Sequence, residues 1–524
     1  MLSTLSHATG SGIRRAELLA ALSIATDFSM GQPMEYAMTT CVVAVRIGEA
    51  AGLLQRDLED AYNEALLRYI GCNADTYWLA SIIGDELALR AEIAAIDTAD
   101  TPRIMQLMLR YIRQTNAGAN LVRMTQAFIQ GVAELGAVHT SFFPGHCEVA
   151  QRLAQRLGFE ESFVATVGQI YARWDGRGVP ALKGDAISPA LLTASLAHDI
   201  VTFYKLGGID AAVAMARKRR GRAHSPMLVD CFLRNAAQVL AGLGSDPAWE
   251  TVLAMEPGSR HYLTQEELDT ACGAMADFAD IKSPWFLGHS HRVAELARAA
   301  AVHCGLPADD VRGIYRAALL HDIGKVGVSA AVWGKDAPLS DREVEQVRMH
   351  PYYTARILAR PSGLARLGEL ASQHHERLDG SGYHRNLNAA ALTPASRIVA
   401  AANRYMVLCE ERPHRRACSA DEAAQTIRNE ARSGQLDAEV ADSVLAAAGH
   451  RASRARRAVV GGLSERELEV LRLVARGNTM KQAAAKLFIS AKTVDRHLQN
   501  IYSKIGVSTR AGATLFAMEH RLLE

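Results

Sequence analysis

Two pairs of adjacent polar residues, His321–Asp322 and His374–His375, each follow an apolar run with helical spacing. Neighbouring side chains on a helix project about 100° apart, so one pair can grip a cation from two sides or touch two cations. Imidazole with carboxylate suits Zn, Fe, Mn or Ni, and the residue types do not choose among these metals. A single helical histidine is usually a surface or core residue, whereas two such pairs favour a metal site.

Other polar residues of the same region fall at helical or helix-end positions, and they are His289, Lys325 and His350. With the two pairs they supply five imidazoles, one carboxylate and one ammonium. Imidazole and carboxylate side chains in such a set can hold one or two divalent cations.

The stretch around His321 has a counterpart far upstream. Residues 318–325 read ALLHDIGK and residues 65–72 read ALLRYIGC, at an offset of 253. A second block matches at an offset of 204, where RLDGSG at 377–382 aligns with RWDGRG at 173–178. Because both blocks keep their order and spacing, we expect two related domains. The change of offset implies extra residues between about 75 and 140, including the helical stretch NLVRMTQAFIQGVAEL.

The upstream copy lacks most of the polar set. The residues that align with His289, His321, Asp322, Lys325, His374 and His375 are Tyr36, Arg68, Tyr69, Cys72, Ile170 and Tyr171. His146 and Asp199 remain, aligned with His350 and Asn403. Because a metal needs three or more ligands, we expect this copy to pack against the other or to sense a ligand.

The order of motifs HDIGKVGVS, His350-Pro351 and HHERLDGSGYH resembles the HD-GYP branch of the HD-domain metal phosphohydrolases over roughly 280–430. That resemblance implies a helical domain with two divalent cations and hydrolysis of a cyclic dinucleotide, with cyclic di-GMP as the first expectation. It also assigns roles. One cation is held by His289, His321 and Asp322, the other by His350, His374 and His375, and Asp322 bridges them. Lys325 contacts the phosphate, and Gly382 and Tyr383 shape the substrate pocket.

Three positions depart from the family pattern. Asn403 replaces an aspartate ligand, so its amide oxygen offers no charge to the first cation. His384 replaces the proline of the signature, and Trp285 stands where some members have an acid for a third cation. These departures leave two alternatives to the cyclic dinucleotide hydrolase. One is a catalytically inactive module for ligand sensing or dimerisation, and the other is a phosphohydrolase for another nucleotide or phosphoester.

The last 74 residues differ in charge from the rest. From Arg451 onward there are 14 Lys and Arg against 6 Asp and Glu, whereas the whole chain carries a net charge of only +2. A basic segment on an acidic body indicates a polyanionic partner for the segment. The stretch RASRARRAVVGG at 451–462 changes composition and is predicted to be a linker.

Residues 463–518 contain the signals of short, well-capped helices. Ser464 and Glu467 form a predicted capping box, Leu463 and Leu468 a hydrophobic staple, and Gly477 a stop. A second helix is expected at about 480–487 and a third, capped by Ser490, up to Gly506. Its apolar stripe is Val494, Leu498, Ile501 and Ile505, so Lys492, Asp495, Arg496, Gln499 and Ser503 face outward. A fourth helix is expected near Thr509.

Two short helices joined by a tight turn, the second with a basic outer face, are typical of a helix-turn-helix. LSERELEVLRLVARG and LFISAKTVDRHLQNIYSKIGV closely resemble the LuxR-type DNA-binding domain. The resemblance implies binding to double-stranded promoter DNA. The implied base-edge or nearby backbone contacts are Thr493, Asp495, Arg496 and Gln499, and the implied phosphate contacts are Lys492, His497 and Lys504.

The sequence therefore predicts an all-α chain of tandem HD-type domains followed by a four-helix LuxR-type domain. The expected parts are a degenerate HD-like domain at 1–250, an HD-GYP-like domain at 251–450, the linker at 451–462 and the DNA-binding domain at 463–524. We expect a cytoplasmic transcription regulator that forms a homodimer on DNA. No apolar run is long enough for a membrane span, and the scattered cysteines indicate neither disulfides nor a zinc knot.

Overall fold

The computed structural model of the 524-residue chain describes residues 12–115, 143–245, 247–450, 463–475, 478–507, 513–514, 516–517 and 522. In this part of the chain the regular structure is helical, and β-pairing is limited to isolated bridges. The backbone divides into two units, residues 1–450 and residues 451–524. The linker at 451–462, Gly477 and the start of the fourth tail helix lie outside the described residues, as does the stretch NLVRMTQAFIQGVAEL.

The described residues of the first half of the larger unit form a series of helices. Their bounds are α1 Arg15–Ser29, α2 Tyr36–Ala51, α3 Gln55–Leu67, α4 Thr76–Ile83, α5 Glu86–Ile93, α6 Thr101–Thr115, α7 Phe143–Arg156, α8 Glu161–Val167, α9 Pro189–Arg219, α10 Pro226–Val239 and α11 Ala248–Ala254. Helix α9 is kinked at Gly207 and Gly208, where the backbone leaves helical geometry. Helices α4, α5 and α6 enclose a small apolar cluster of their own around Ile83 and Leu107.

The second half repeats this pattern. Its helices are α12 Gln265–Asp280, α13 His289–His303, α14 Ala308–Leu320, α15 Ala330–Trp333, α16 Asp341–Arg348, α17 His350–Leu358, α18 Ser362–Ala371, α19 Pro394–Cys409, α20 Ala420–Arg432 and α21 Ala438–Ala447. A 3-10 helix, Ile323–Gly327, separates α14 from α15. Three helices begin with reciprocal capping boxes, at Thr264/Glu267, Ser340/Glu343 and Ser419/Glu422.

Both halves share one hydrophobic core. Leu19 of α1, Val43 of α2, Leu319 of α14 and Val399 of α19 belong to the same buried cluster. Helix α1 of the first half also packs against the 3-10 helix of the second half. The first half therefore supports the segment that follows His321 and Asp322, and the larger unit folds around a common interior.

The smaller unit contains α22 Glu465–Ala475, α23 Met480–Leu487 and α24 Ala491–Ile505. The predicted signals are present. The Ser464 amide donates to Glu467 Oε2 (2.6 Å), the Glu467 amide donates to Ser464 Oγ, and Gly506 ends α24 with φ 67°. Val494, Leu498 and Ile501 are buried in the core of this unit, and Ile505 packs against it. The predicted inner stripe of α24 is confirmed.

Candidate metal centre and DNA-binding surface

Six predicted ligands gather into two groups in the second half. The atoms that His289, His321 and Asp322 offer lie within 4.8 Å of one another. The same holds for His350, His374 and His375. All six are buried except His375, which is half-buried. The structure therefore brings together residues from the ends of several helices, as the spacing of the motifs predicts.

Helix ends fix the orientation of three imidazoles. His321 follows the last turn of α14, and its Nδ1 donates to the carbonyl of Ala318 (2.6 Å). His350 does the same to Val347 (2.6 Å), and His374 to Ala371 (2.7 Å). The last carbonyls of a helix lack partners within that helix, so they are free to accept these protons. Because Nδ1 must carry the proton, Nε2 presents a lone pair to the site.

Two of these lone pairs face each other. Nε2 of His350 lies 3.1 Å from Nε2 of His374, although both rings already donate through Nδ1. Burial lowers the pKa of His350, and it lowers the pKa of His374 to about 4, so protonation does not bridge the two atoms near neutral pH. Two acceptors at this separation are unfavourable until a cation lies between them. This contact fits a metal ion held by the His350 group.

Asp322 stands between the two groups. Its Oδ2 lies 3.0 Å from Nε2 of His321 and its Oδ1 lies 3.4 Å from Nε2 of His374. Neither carboxylate oxygen accepts a well-aligned hydrogen bond, although both are buried. Burial favours the neutral acid, but the positive charge of Lys325 opposes this, and the pKa of Asp322 lies well below its usual range. A buried, ionised carboxylate without aligned donors fits cation binding, with one oxygen for each group.

His289 is oriented by a carboxylate that the sequence motifs do not include. Its Nδ1 lies 2.7 Å from Oε2 of Glu410, which directly follows α19. Arg292 and Arg412 also donate to Glu410. Burial favours the neutral acid, but His289 and the two arginines lower the pKa of Glu410 to about 2. No motif contains Glu410, so only the folded arrangement identifies it as a positioning residue.

Asn403, which stands where the family resemblance expects an aspartate, lies within the first group of candidate ligands. Oδ1 of Asn403 is 3.1 Å from Nε2 of His289, and Asn403 is buried. The amide therefore occupies a ligand position but contributes no charge. Its placement fits the sequence interpretation that residue 403 offers an uncharged oxygen to the first cation.

Lys325 lies beside the carboxylate. It belongs to the short 3-10 helix after Asp322 and forms an ion pair with Asp322. Its ammonium lies 4.2 Å from the ring centroid of Phe286 and 5.5 Å from that of Trp333. Two aromatic faces thus hold a buried cation at the edge of the metal groups.

The glycines of the two motifs permit close backbone contacts. A Cβ at Gly324 would lie 2.0 Å from the carbonyl oxygen of His350, so only glycine lets α17 approach the 3-10 helix. A Cβ at Gly382 would lie 2.6 Å from the carbonyl oxygen of His375. Tyr383 stacks on His375 with ring centroids 4.6 Å apart. Gly382 and Tyr383 therefore form the wall beside the His350 group.

The first half contains two close backbone contacts like those of the second half, but without the candidate metal ligands. A Cβ at Gly71 would lie 2.0 Å from the carbonyl oxygen of His146, the same approach that Gly324 makes to His350. A Cβ at Gly178 would lie 2.2 Å from the carbonyl oxygen of Tyr171. Asp199 instead pairs with Arg219 and with Nε2 of His224 (2.6 Å). These two close backbone approaches are what the predicted relation between the halves would lead us to expect.

In the smaller unit, the third helix presents a polar face. Lys492, Asp495, Arg496 and Gln499 are exposed, while Thr493 and His497 are half-buried. Lys504 donates to Glu467 Oε2 (2.7 Å), so its ammonium is tied to the capping box of α22. Four of the predicted contact residues are thus available to a partner, and Lys504 already has an internal one.

Both units of the chain are similar to known protein families. Residues 273–440 match the HD domain family, and residues 462–517 match the luxR family of bacterial regulatory proteins. The chain is 28% identical over 413 residues to 3'3'-cGAMP-specific phosphodiesterase 3 of Vibrio cholerae serotype O1, which covers 78% of this chain and 89% of that protein. It is 37% identical over 150 residues to a cyclic di-GMP phosphodiesterase of Thermotoga maritima, covering 28% of this chain and 40% of that one.

A solved structure supports the same relation. A crystal structure of a cyclic GMP-AMP-specific phosphodiesterase of V. cholerae matches with a TM-score of 0.58 and 26% identity, over 84% of this chain and 98% of that one. The larger unit thus contains an HD domain, and the relatives it is similar to are cyclic dinucleotide phosphodiesterases. This chain joins the HD domain to a C-terminal domain of the luxR family. The all-α fold class and both predicted resemblances are confirmed.

Across the described residues, no helix combines the length and the apolar character that crossing a membrane requires.

Proposed function

We propose that this protein is a transcription regulator whose HD domain hydrolyses a phosphodiester bond of a cyclic dinucleotide. The observation that carries the proposal is the position of Asp322, with one carboxylate oxygen toward His321 and the other toward His374. A carboxylate between two imidazole groups suits a pair of divalent cations. The similarity to cyclic dinucleotide phosphodiesterases of V. cholerae and T. maritima supports the substrate class.

Each residue of the site has a proposed role in this reaction. His289, His321, Asp322 and Asn403 would hold one cation, and His350, His374 and His375, together with Asp322, would hold the other. When bound, two such ions stabilise the negative charge that develops on the attacking and leaving oxygens of a phosphodiester. Lys325 turns from its ion pair with Asp322 toward the phosphate and neutralises charge there. Tyr383 and Gly382 line the adjoining wall and orient the substrate.

Turnover is tested with full-length protein loaded with Mn²⁺ or Fe²⁺ and incubated with cyclic di-GMP or 3'3'-cGAMP. We expect a linear dinucleotide from at least one substrate, and loss of that product in His321→Ala and Asp322→Ala. His303→Ala is a matched control, because His303 lies on α13 and its Nδ1 donates to a carbonyl, yet it is exposed and outside both groups. Equal product from Asp322→Ala and from the unaltered protein would contradict the proposal.

Lys325 is tested separately. Lys325→Met should retain the metal content and lower kcat by ~10²-fold or more, the usual effect of removing a donor that stabilises transition-state charge. Lys335→Met is the control, because Lys335 pairs with Glu343 outside the site. Loss of metal from Lys325→Met would assign the lysine to the structure of the centre and not to the reaction.

Two features favour the inactive alternative strongly enough to require a test. Asn403 brings no charge to the first group, and the Lys325 ammonium already neutralises Asp322. In that case the body binds a ligand and changes shape without hydrolysis. Tight binding of a cyclic dinucleotide without any product would support the binding module. Product from a panel of other phosphoesters alone would support a different phosphohydrolase.

We further propose that the LuxR-type domain binds double-stranded promoter DNA as a homodimer in the cytoplasm. The exposed face of α24 supports this, because its Arg496 and Gln499 suit base edges and its Lys492 suits phosphates. Thr493, Asp495 and His497 lie beside them. Lys504 reaches phosphate only after leaving Glu467.

DNA binding is tested by footprinting full-length protein on the promoter regions of its host at moderate salt. Arg496→Ala and Gln499→Ala should abolish the protected sites, and Lys492→Ala should weaken binding to all sequences and reduce its salt dependence. Arg298→Ala, an exposed arginine of the larger unit, is the control. Absence of any protected site with the unaltered protein would remove this part of the proposal.

A further inference from the structure

The first half contains a cavity of about 290 Å³ where the second half has its metal groups. Arg68, Tyr69, His146, Tyr171 and Asp199 line it, and these residues align with the predicted ligands of the second half. The loss of the metal ligands has therefore left a chamber of a size that suits one small molecule.

Most of the cationic groups in this chamber have partners. Arg219 pairs with Asp199, and Arg173 pairs with Asp97. Arg90 donates to the carbonyls of Ser29 and Cys72 and to the Thr76 hydroxyl. These contacts use their hydrogen-bonding capacity inside the protein.

Arg68 differs from them. Within the described chain no carboxylate lies within 4 Å of its guanidinium, and its Nη2 donates to Ser195 Oγ at a long distance of 3.4 Å. Its Nε and Nη1 are buried without a hydrogen-bond partner. A guanidinium carries five N–H donors and stays charged, so burying it without a counter-ion is costly. The cavity therefore holds a cation that an anion would stabilise.

A carboxyl one helical turn away does not supply that anion. Glu64 lies one turn before Arg68 on α3 and is fully buried, with both carboxylate oxygens lacking a hydrogen-bond partner in the described structure. Burial raises the pKa of Glu64 to about 8, although Arg68 opposes the shift. Glu64 is then mostly protonated at neutral pH and leaves the Arg68 charge uncompensated.

The rest of the cavity wall is mainly apolar. Trp78, Leu89, Ile93, Met108, Phe143 and Ile170 surround the space. Such a wall excludes a small hydrated ion and favours a molecule with an apolar or aromatic body. One charged end and one apolar body together define the ligand class.

We propose that the first-half cavity binds a small organic anion whose acidic group pairs with Arg68 and whose apolar body contacts the opposite wall. This site is separate from the metal centre and independent of any hydrolysis there. A planar carboxylate and a tetrahedral phosphate or sulfonate share the required charge, and the test separates them.

The test is calorimetric titration of full-length protein with 2-naphthoate, 1-naphthalenesulfonate and the uncharged 1-naphthalenemethanol. At least one anion should bind with a saturable 1:1 heat, and the neutral compound should bind at least ~10-fold more weakly, as expected for the loss of a charged hydrogen bond. A preference for the carboxylate or for the sulfonate identifies the geometry of the acidic group. No saturable heat with either anion at millimolar concentration would overturn the proposal.

Variants locate the site. Arg68→Gln should weaken binding of the anion about 10- to 100-fold, and Arg68→Lys should keep part of the affinity. Arg298→Gln should leave the affinity unchanged. Ile93→Trp should block binding by filling the chamber while Arg68 remains, which keeps the test valid if Arg68→Gln fails to fold. His350→Ala should bind the anion as the unaltered protein does. Loss of binding in His350→Ala, or an affinity in both Arg68→Gln and Ile93→Trp that is unchanged from the unaltered protein, would place the anion elsewhere and overturn the proposal.

Discussion

Nδ1 of His289 lies 2.7 Å from Oε2 of Glu410, and this contact joins the start of α13 to the end of α19. An ionised carboxylate only accepts hydrogen bonds, so the imidazole must place its proton on Nδ1 and direct Nε2 toward Asn403 and Asp322. The orientation of the first metal group therefore depends on a residue that offers no atom to that group.

Replacing Glu410 by Gln should loosen this group. The amide can accept from His289 but carries no charge, and it also gives up the ion pairs with Arg292 and Arg412. We expect metal affinity or turnover to fall about 10- to 100-fold, the usual effect of losing a carboxylate behind a histidine ligand. Competition with a chelator and a turnover assay measure both. Glu411→Gln, at the exposed neighbouring position, should behave like the unaltered protein; equal loss in both variants would contradict the assigned role.

Replacing Asn403 by Asp should strengthen the same group. Oδ1 of Asn403 lies 3.1 Å from His289 Nε2, so a carboxylate there adds a charge without a change of length. Opposite charges attract more strongly in a buried site, and we expect at least ~10-fold tighter binding of the first cation. Metal titration of Asn403→Asp beside Asn429→Asp, an exposed control, measures the effect. Unchanged affinity would show that residue 403 contributes no ligand.

The grouping of the candidate ligands is predictable from the sequence because these residues lie at helix ends that local signals define. His321, His350 and His374 each follow a helix and bond to its last turn, so their motif spacing already encodes their direction. The inner stripe of α24 is predictable for the same reason.

Other features depend on contacts between distant parts of the chain. Glu410 reaches His289 across 121 positions, and Glu86 reaches Lys282 across 196. No local sequence pattern identifies either pair, because an acidic residue in the sequence does not reveal which distant residue it will contact after folding. The first-half cavity is also invisible in the sequence, since aligned positions show which ligands are missing but not that their space stays open.

The pair between Glu86 and Lys282 joins the two halves of the larger unit in a fully buried position. Glu86 also accepts from the Ser329 hydroxyl (2.5 Å) and the Ala330 amide (2.8 Å), and Lys282 donates to the Val326 carbonyl (2.9 Å). Glu86→Gln leaves a buried ammonium without its counter-charge, which costs about 3–5 kcal/mol of the free energy of unfolding. Chemical denaturation measures this loss.

The double variant Glu86→Gln with Lys282→Met separates charge from packing. It should recover a large part of the lost stability, since it removes the uncompensated ammonium. Glu92→Gln, in the exposed pair with Arg110, should change the free energy of unfolding by less than about 1 kcal/mol. No recovery in the double variant would mean that the hydrogen bonds of Glu86, and not its charge, stabilise this contact.

Glu64 should make the stability of the first half depend on pH. Burial raises its pKa from 4.5 to about 8, so the folded state keeps a proton that the unfolded state releases above pH 4.5. The free energy of unfolding therefore falls as pH rises from 4.5 to about 8, and the loss is complete above that value. Glu64→Gln carries no such proton, so its melting temperature relative to the unaltered protein should increase across this window, from little difference at pH 5 to a clear gain at pH 9. Glu439→Gln, an exposed control, should show a constant difference. A Glu64→Gln curve parallel to that of the unaltered protein from pH 5 to 9 would show that this carboxyl titrates at its ordinary value.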